Sequence, residues 1–173
     1  LLLSNPDDSE EDRVKMNKLG AGILMISRGM PFFQAGEEML RTKNGDENSY
    51  KSSDAINNID WEALNKDNVY QTMLYYKGLI EMRKAYNIFY SGAIAISYKA
   101  IGNNGAMAIH YTDNASARKA IVILNPTNSN ITYDLTGNWT LIANGSQAGS
   151  SEIASATGTV TVNPIELQVY VNH

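Results

Sequence analysis

Residues 29–61 read GMPFFQAGEEMLRTKNGDENSYKSSDAINNIDW, and the fold turns on how they are understood. The stretch opens on residues 30–33, which carry no polar side chain, as expected of a short strand buried on both faces of a parallel sheet. From there to Trp61 the chain is polar. Gly and Asn turn formers alternate with Arg41, Asp46, Asn48, Tyr50, Asp54 and Asn57. Loops this long are uncommon inside a compact domain unless they serve a site. A buried strand running straight into a hydrogen-bond-rich loop is how a (β/α) barrel builds its working face.

The flanks extend the pattern on both sides. Upstream, SNPDDS at 4–9 is a turn, and Ser9 with Asp12 forms an acidic capping box. Glu10, Glu11 and Asp12 crowd the first turn, where the helix dipole favours negative charge. The spacing predicts a helix to about Arg28, with Gly29 as its C-cap. Gly20 and Gly22 weaken that helix by roughly 1 kcal/mol each against Ala, a cost that close packing on a sheet would offset. Downstream, a helix from Asp67 or Asn68 to about Tyr86 places Val69, Met73, Tyr76, Leu79, Ile80 and Arg83 on one core-facing side. Helix, strand, loop and helix make part of a β/α repeat. One strand has no partners for its backbone groups, so either another chain or a larger barrel must supply them.

After residue 87 the texture changes. Short β-rich runs fall at 93–98, 106–111, 120–124, 131–135, 139–143, 159–162 and 167–171, punctuated by GNNG, NPTN, TGN and NP turns. Such spacing predicts an antiparallel β-sandwich, with 145–158 as a surface loop. The expected fold class is thus α/β plus all-β: the last helix-strand-helix portion of a (β/α)8 barrel at 1–87, then a β-sandwich at 88–173.

Composition narrows the function classes. The chain has 173 residues, 43% hydrophobic and 18% charged, with a net charge of -4 and no cysteine. An acidic chain without a Lys/Arg cluster argues against nucleic acid as a partner. Lack of cysteine excludes a disulfide framework, a thiolate metal site and a Cys nucleophile. No apolar run approaches the length of a membrane span. Leu1-Leu2-Leu3 lacks the features of a signal peptide and reads as the end of an element whose beginning is missing, so the expectation is a piece of something longer.

Taken together, GMPFFQAGEE at 29–38 resembles the eighth barrel strand of the α-amylase superfamily of glycoside hydrolases. LRTKNGDENSY at 40–50, Ser53-Asp54 and NNIDW at 57–61 resemble the debranching enzymes of that superfamily, type I pullulanases above all, as does SNPDDSEEDR at 4–13. The resemblance covers residues 1 to about 90; the β-rich part matches the family's C-terminal sandwich by position and texture. It implies hydrolysis of α-1,6-glucosidic linkages in pullulan or starch-type glucans with retention, a reaction that needs a nucleophilic carboxylate and a second acid/base carboxylate. In the family these lie on earlier strands, in motifs absent from this sequence, so the resemblance implies no catalytic residue here. It also implies an α-glucan substrate, the remainder of the barrel as partner and no cofactor in this stretch, a structural calcium being left to the rest of such an enzyme. The alternatives are a non-catalytic glucan-binding or structural module, served by Trp139 and the Tyr-rich strands, and an amylase or isoamylase of the same superfamily.

Candidate substrate-binding residues are Arg41, Asn48, Tyr50, Asp54 and Asn57, which offer the planar polar groups and the aromatic face that sugars take up. Trp61 is expected to anchor the loop from below, although an exposed indole there would suit a sugar platform. Glu37 and Glu38, adjacent on an extended segment, point to opposite sides and do not flank one glycosidic bond; one of them should brace the barrel mouth by hydrogen bonding loop backbone or an Arg. His110 and His173 lack partners at metal-ligand spacing, and Asp46-Glu47-Asn48 lacks a calcium-loop pattern. Tyr98, Tyr111, Tyr133 and Tyr170 alternate as sandwich-core residues do.

Overall fold

A computed structural model describes residues 1–172; His173 lies outside the described residues. Helix α1 spans Glu10–Ile26, and its start follows the capping prediction: Ser9 Oγ accepts the Asp12 N–H at 3.0 Å. Lys15 adds ion pairs to Glu11 at 2.9 Å and Asp12 at 3.1 Å. The helix stops at Ile26, short of the expected Arg28, because Ser27 turns extended and donates its N–H to Leu24 O. After the short α2, Asp54–Asn57, helix α3 runs Asp67–Ala85 and buries Val69, Thr72, Tyr75, Tyr76, Leu79, Met82 and Arg83 along one side.

Six strands follow among the described residues: β1 Ala95–Ile101, β2 Ala106–Thr112, β3 Lys119–Asn125, β4 Ile131–Ala143, β5 Ala154–Val162 and β6 Glu166–Val171. They form one antiparallel sheet in the order β1-β2-β3-β6-β4-β5. Two predicted strands, 131–135 and 139–143, are one strand with an irregularity between Leu135 and Trp139, where Gly137 takes φ +90°. The first half of β4 pairs with β5 alone; the second half also pairs with β6. Much of the predicted 145–158 loop is ordered too. Ala143 bridges Ala148, and β5 already begins at Ala154.

Both faces of the sheet are covered. On one, Leu19, Met25 and Ile26 of α1 and Tyr75, Leu79 and Met82 of α3 pack on Tyr111, Val122, Leu124, Leu167 and Val169. On the other, Tyr133, Leu135 and Trp139 of β4 close over Ala108, Ile121 and Ile123. Central strands β3 and β6 are therefore buried almost throughout, whereas edge strand β1 is largely exposed. Tyr111, Tyr133 and Tyr170 are buried as the alternation predicts. Tyr98 is not: it lies on edge strand β1 and is 70% exposed.

Two close approaches dock the helices on the sheet. A Cβ at Gly22 would meet Leu167 Cδ1 at 2.9 Å, so this glycine admits the sheet side chain. Gly20 faces open space and has no such role. At Gly78 the neighbour is backbone: an added Cβ would lie 1.9 Å from Ala148 O. Arg83 ties α3 to the end of α1, donating to Met25 O at 2.6 Å, Ser27 O at 2.8 Å and Gly29 O at 2.8 Å. Met25 O is one of the carbonyls that a helix terminus leaves without partners, and Arg83 serves it beside the local cap that Ser27 gives to Leu24 O. Tyr111 Oη donates to Ile26 O at 3.0 Å and completes the job.

Residues 30–33 depart from expectation. They belong to no strand among the described residues, and the side chains of Met30 and Phe32 are 91% and 86% exposed. Phe33 packs edge-on to Tyr76 with ring centroids 5.6 Å apart. The physical reason is the one the sequence raised: no other described strand reaches this segment, so its ladder groups and apolar faces meet water.

Candidate functional site

The polar loop folds as a chain of short turns. Single helical turns at Glu37–Met39, Ser49–Lys51, Asp54–Asn57 and Trp61–Asn65 are joined by residues whose side chains hydrogen-bond the backbone two residues on. Thr42 Oγ1 accepts Asn44 N–H at 3.0 Å, Asp46 Oδ1 accepts Asn48 N–H at 3.1 Å and Asp60 Oδ1 accepts Glu62 N–H at 3.1 Å. Asn44 at φ 52° and Gly45 at φ +84° supply the reversal between them.

The five predicted contact residues separate into two groups. Arg41 and Asn57 point into the loop. Arg41 donates from Nη1 to Ala35 O at 3.0 Å and from Nη2 to Asn57 O, while its buried Nε has no partner among the described residues. Asn57 donates from Nδ2 to Ser49 O at 2.7 Å and Ser52 O at 2.9 Å, and accepts from Lys43 Nζ. With those bonds made, Asn57 braces the loop and has little left for a ligand. Asn48, Tyr50 and Asp54 face outward, and among the described residues the Asn48 and Asp54 side chains make no hydrogen bond. The Tyr50 ring is 75% exposed, with Lys51 Nζ 5.3 Å from its centroid.

Other expectations shift as well. Trp61 is 67% exposed instead of anchoring the loop from below, because the turn it opens, Trp61–Asn65, buries no residue. Glu38 does brace backbone: its Oε2 accepts Gly36 N–H at 3.0 Å. Sequence reading passed over Lys43, whose Nζ donates to Ser49 Oγ at 2.7 Å and to Asn57 Oδ1 at 2.7 Å. No local signal marks that contact, since Lys43 and Asn57 are 14 residues apart.

Between the base of the loop and the starts of α1 and α3 lies a cleft of about 440 Å³, lined by Arg41, Thr42, Asn44, Asn58, Asp60 and Asn68 among others. Asn68 Nδ2 donates to Glu10 Oε1 at 3.1 Å at its edge. Arg41 alone of the five predicted residues reaches it. The Asp46 carboxyl is held below its usual value first by the Ser52 hydroxyl, then by the Asn48 N–H, with a smaller pull from Lys43. Below the loop, burial pushes the Tyr76 phenol up to about 12, helped by Glu37 and opposed by its hydrogen bond to Asn17. No group of three His, Asp or Glu side chains suited to a metal occurs among the described residues. No described helix is long and apolar enough to cross a membrane.

Set against known proteins, the chain is 37% identical over 84 residues to pullulanase of Bacillus subtilis (strain 168), a match covering 49% of this chain and 11% of that protein. In three dimensions it superimposes on pullulanase from Bacillus acidopullulyticus with a TM-score of 0.87 and 30% identity, over 99% of this chain and 22% of that one. The chain is a homologue of the pullulanases. Pullulanase from Anoxybacillus sp. LM18-11, solved in complex with maltotetraose, shares the fold at a TM-score of 0.81 and 24% identity, over 99% of this chain and 25% of that one. The chain thus spans about a tenth of the curated pullulanase and a quarter or less of the solved ones. No protein-family model matches it.

Proposed function

We propose that the chain works as part of a pullulanase-type glycoside hydrolase that cleaves α-1,6-glucosidic linkages of pullulan or starch-type glucans with retention. The observation that carries this reading is the superposition on a pullulanase at 30% identity over 99% of the chain. Within such an enzyme, residues 1–87 form the closing portion of a (β/α)8 barrel and residues 88–173 a C-terminal β-sandwich. Exposed Met30 and Phe32 support the first assignment, since strands from the remainder of the barrel would cover them and pair residues 30–33. The apolar cluster in which β4 closes over Ala108, Ile121 and Ile123 supports the second.

The loop's contribution is to hold glucan. Asn48, Tyr50 and Asp54 supply an amide, an aromatic face and a carboxylate to sugar hydroxyls and rings, while Arg41 and Asn57 keep their carriers in place. Nucleophile and acid/base belong to the rest of the enzyme. Glu38 is already engaged with Gly36 backbone, which supports keeping it out of the chemistry.

The test is pullulan hydrolysis by the complete enzyme carrying Tyr50→Ala or Asp54→Ala, each expected to lower kcat/KM by about tenfold or more, or ~1.4 kcal/mol. Unchanged kcat/KM for both removes them from the site. The chain by itself is expected to hydrolyse no pullulan, and turnover by the purified chain overturns the division of labour. The rival, a glucan-binding module built on the β-strands, finds less support: Trp139 is buried with Nε1 donating to Thr136 O at 3.0 Å, and of the four strand tyrosines Tyr98 alone is exposed. Retention of residues 88–173 on insoluble starch is the result that would favour it. An amylase or isoamylase reading is separated by comparing hydrolysis of pullulan, amylose and amylopectin.

A further inference from the structure

One half-buried cation closes the loop. Lys43 Nζ spends two of its three donors on Ser49 Oγ and Asn57 Oδ1, both at 2.7 Å. Among the described residues no carboxylate stands within ion-pair distance of it. Asn57 then returns two bonds, to Ser49 O and Ser52 O. Ser49 is therefore gripped twice, at its hydroxyl by Lys43 and at its carbonyl by Asn57. From the far side Asp46 accepts Ser52 Oγ and the Asn48 N–H. The segment so clamped is the turn Ser49–Lys51, with Tyr50 at its centre, followed by the α2 turn that starts at Asp54.

What the clamp holds is informative. Neither the Ser49–Lys51 turn nor α2 buries a residue, so fixing them adds nothing to a core. Ordering such a segment costs conformational entropy with no apolar burial to offset it. The return is display: a rigid Tyr50 face and Asp54 carboxylate in fixed register, so that a ligand need not order them on binding. A latch between an ammonium and neutral oxygens, with Asp46 exerting only a small pull on it, is weakened by salt less than an exposed ion pair.

We propose that Lys43 is a positioning residue for glucan binding: it latches Ser49 to Asn57 and so presents Tyr50 and Asp54 to sugar before the sugar arrives. This rests on the glucan reading of the loop given above. A Met at position 43 keeps the alkyl stem and removes the donors; an Arg restores donors that reach both oxygens.

The experiment has two readouts. Amide hydrogen exchange across residues 46–57 is followed in the complete enzyme with and without maltotetraose, and KM and kcat on pullulan are measured in the same enzyme. Lys43→Met is expected to speed exchange at Ser49, Ser52 and Asn57, to raise KM about tenfold and to leave kcat within about threefold. Lys43→Arg should recover most of the KM. Faster exchange with unchanged KM overturns the proposal, because the latch then shapes the loop without serving binding. Exchange that is the same in Lys43→Met and wild type overturns it too, since the latch is then not what orders the turn. If maltotetraose leaves exchange of the wild-type loop unaltered, the glucan reading itself fails and the inference falls with it; a wild-type response that Lys43→Met reproduces in full overturns the inference alone.

Discussion

The loop at 34–66 and the sheet beside it are ordered by different forces. Strands β3 and β6 pair along their length and bury nearly every side chain, so their order comes from ladder bonds and apolar area removed from water. The loop buries Gly36 and Met39 and otherwise holds together through side chains bonded to backbone and to one another. A net hydrogen bond contributes about 1 kcal/mol, whereas a buried Leu or Phe contributes about 2–3 kcal/mol. The sheet is thus the stable scaffold and the loop the separately adjustable part, which suits a site that must present polar groups to solvent.

That contrast can be broken at its strong end first. Phe89 is fully buried and edge-on to Tyr111 at 5.4 Å, and Phe89→Ala should cost about 3–5 kcal/mol of global stability by denaturant unfolding. A cost under about 1 kcal/mol would show that this part of the core is not where stability resides. Next, Gly78→Ala puts a methyl against Ala148 backbone and should cost about 3 kcal/mol, read as a lowered Tm. An unshifted Tm would mean that α3 slides freely on the 144–149 segment. At the weak end, Asn57→Ala removes the loop's central brace. It should speed amide exchange at 46–57 while changing global stability by no more than about 2 kcal/mol. Coincident loss of exchange protection in loop and sheet would erase the distinction.

The smallest expected effect is a pH dependence on the sheet. His110 Nε2 sits 2.9 Å from Tyr133 Oη, and burial, then Lys99, hold its pKa below the ordinary 6.5. A depressed histidine binds its proton more readily in the unfolded chain, so stability is full above 6.5 and falls as the pH drops from there through the folded value. Unfolding followed between pH 7.5 and 5 should show this slope, by about 1 kcal/mol or less, and His110→Gln should flatten it. An equal slope in the variant would assign the effect elsewhere.

Much of the scaffold was legible because its signals are local. Ser9 and Asp12 mark the start of α1 within one turn, and the apolar spacing of α3 reports its buried side. Alternation told which residues of a strand share a face, but not which strand becomes an edge; Tyr98 was misread for that reason. At 131–143 the TGN turn signal was real, yet Gly137 absorbs it as an irregularity within one strand. In the loop, residue type was legible and direction was not. Arg41 and Asn57 have the chemistry of sugar ligands, but their partners, Ala35 O, Ser49 O and Lys43, are set by closure of the whole segment. The run at 30–33 showed its apolar character plainly, while no described strand gives it a ladder.

The grip of Arg83 on the end of α1 has a consequence for endurance. A guanidinium keeps its charge from acid to neutral conditions, and the three amide oxygens it holds never titrate in that range. Acid strong enough to neutralise Asp12, and so break its pair with Lys15, leaves this tether made. The two helices should therefore stay joined at this end in a medium sour enough to fray the other.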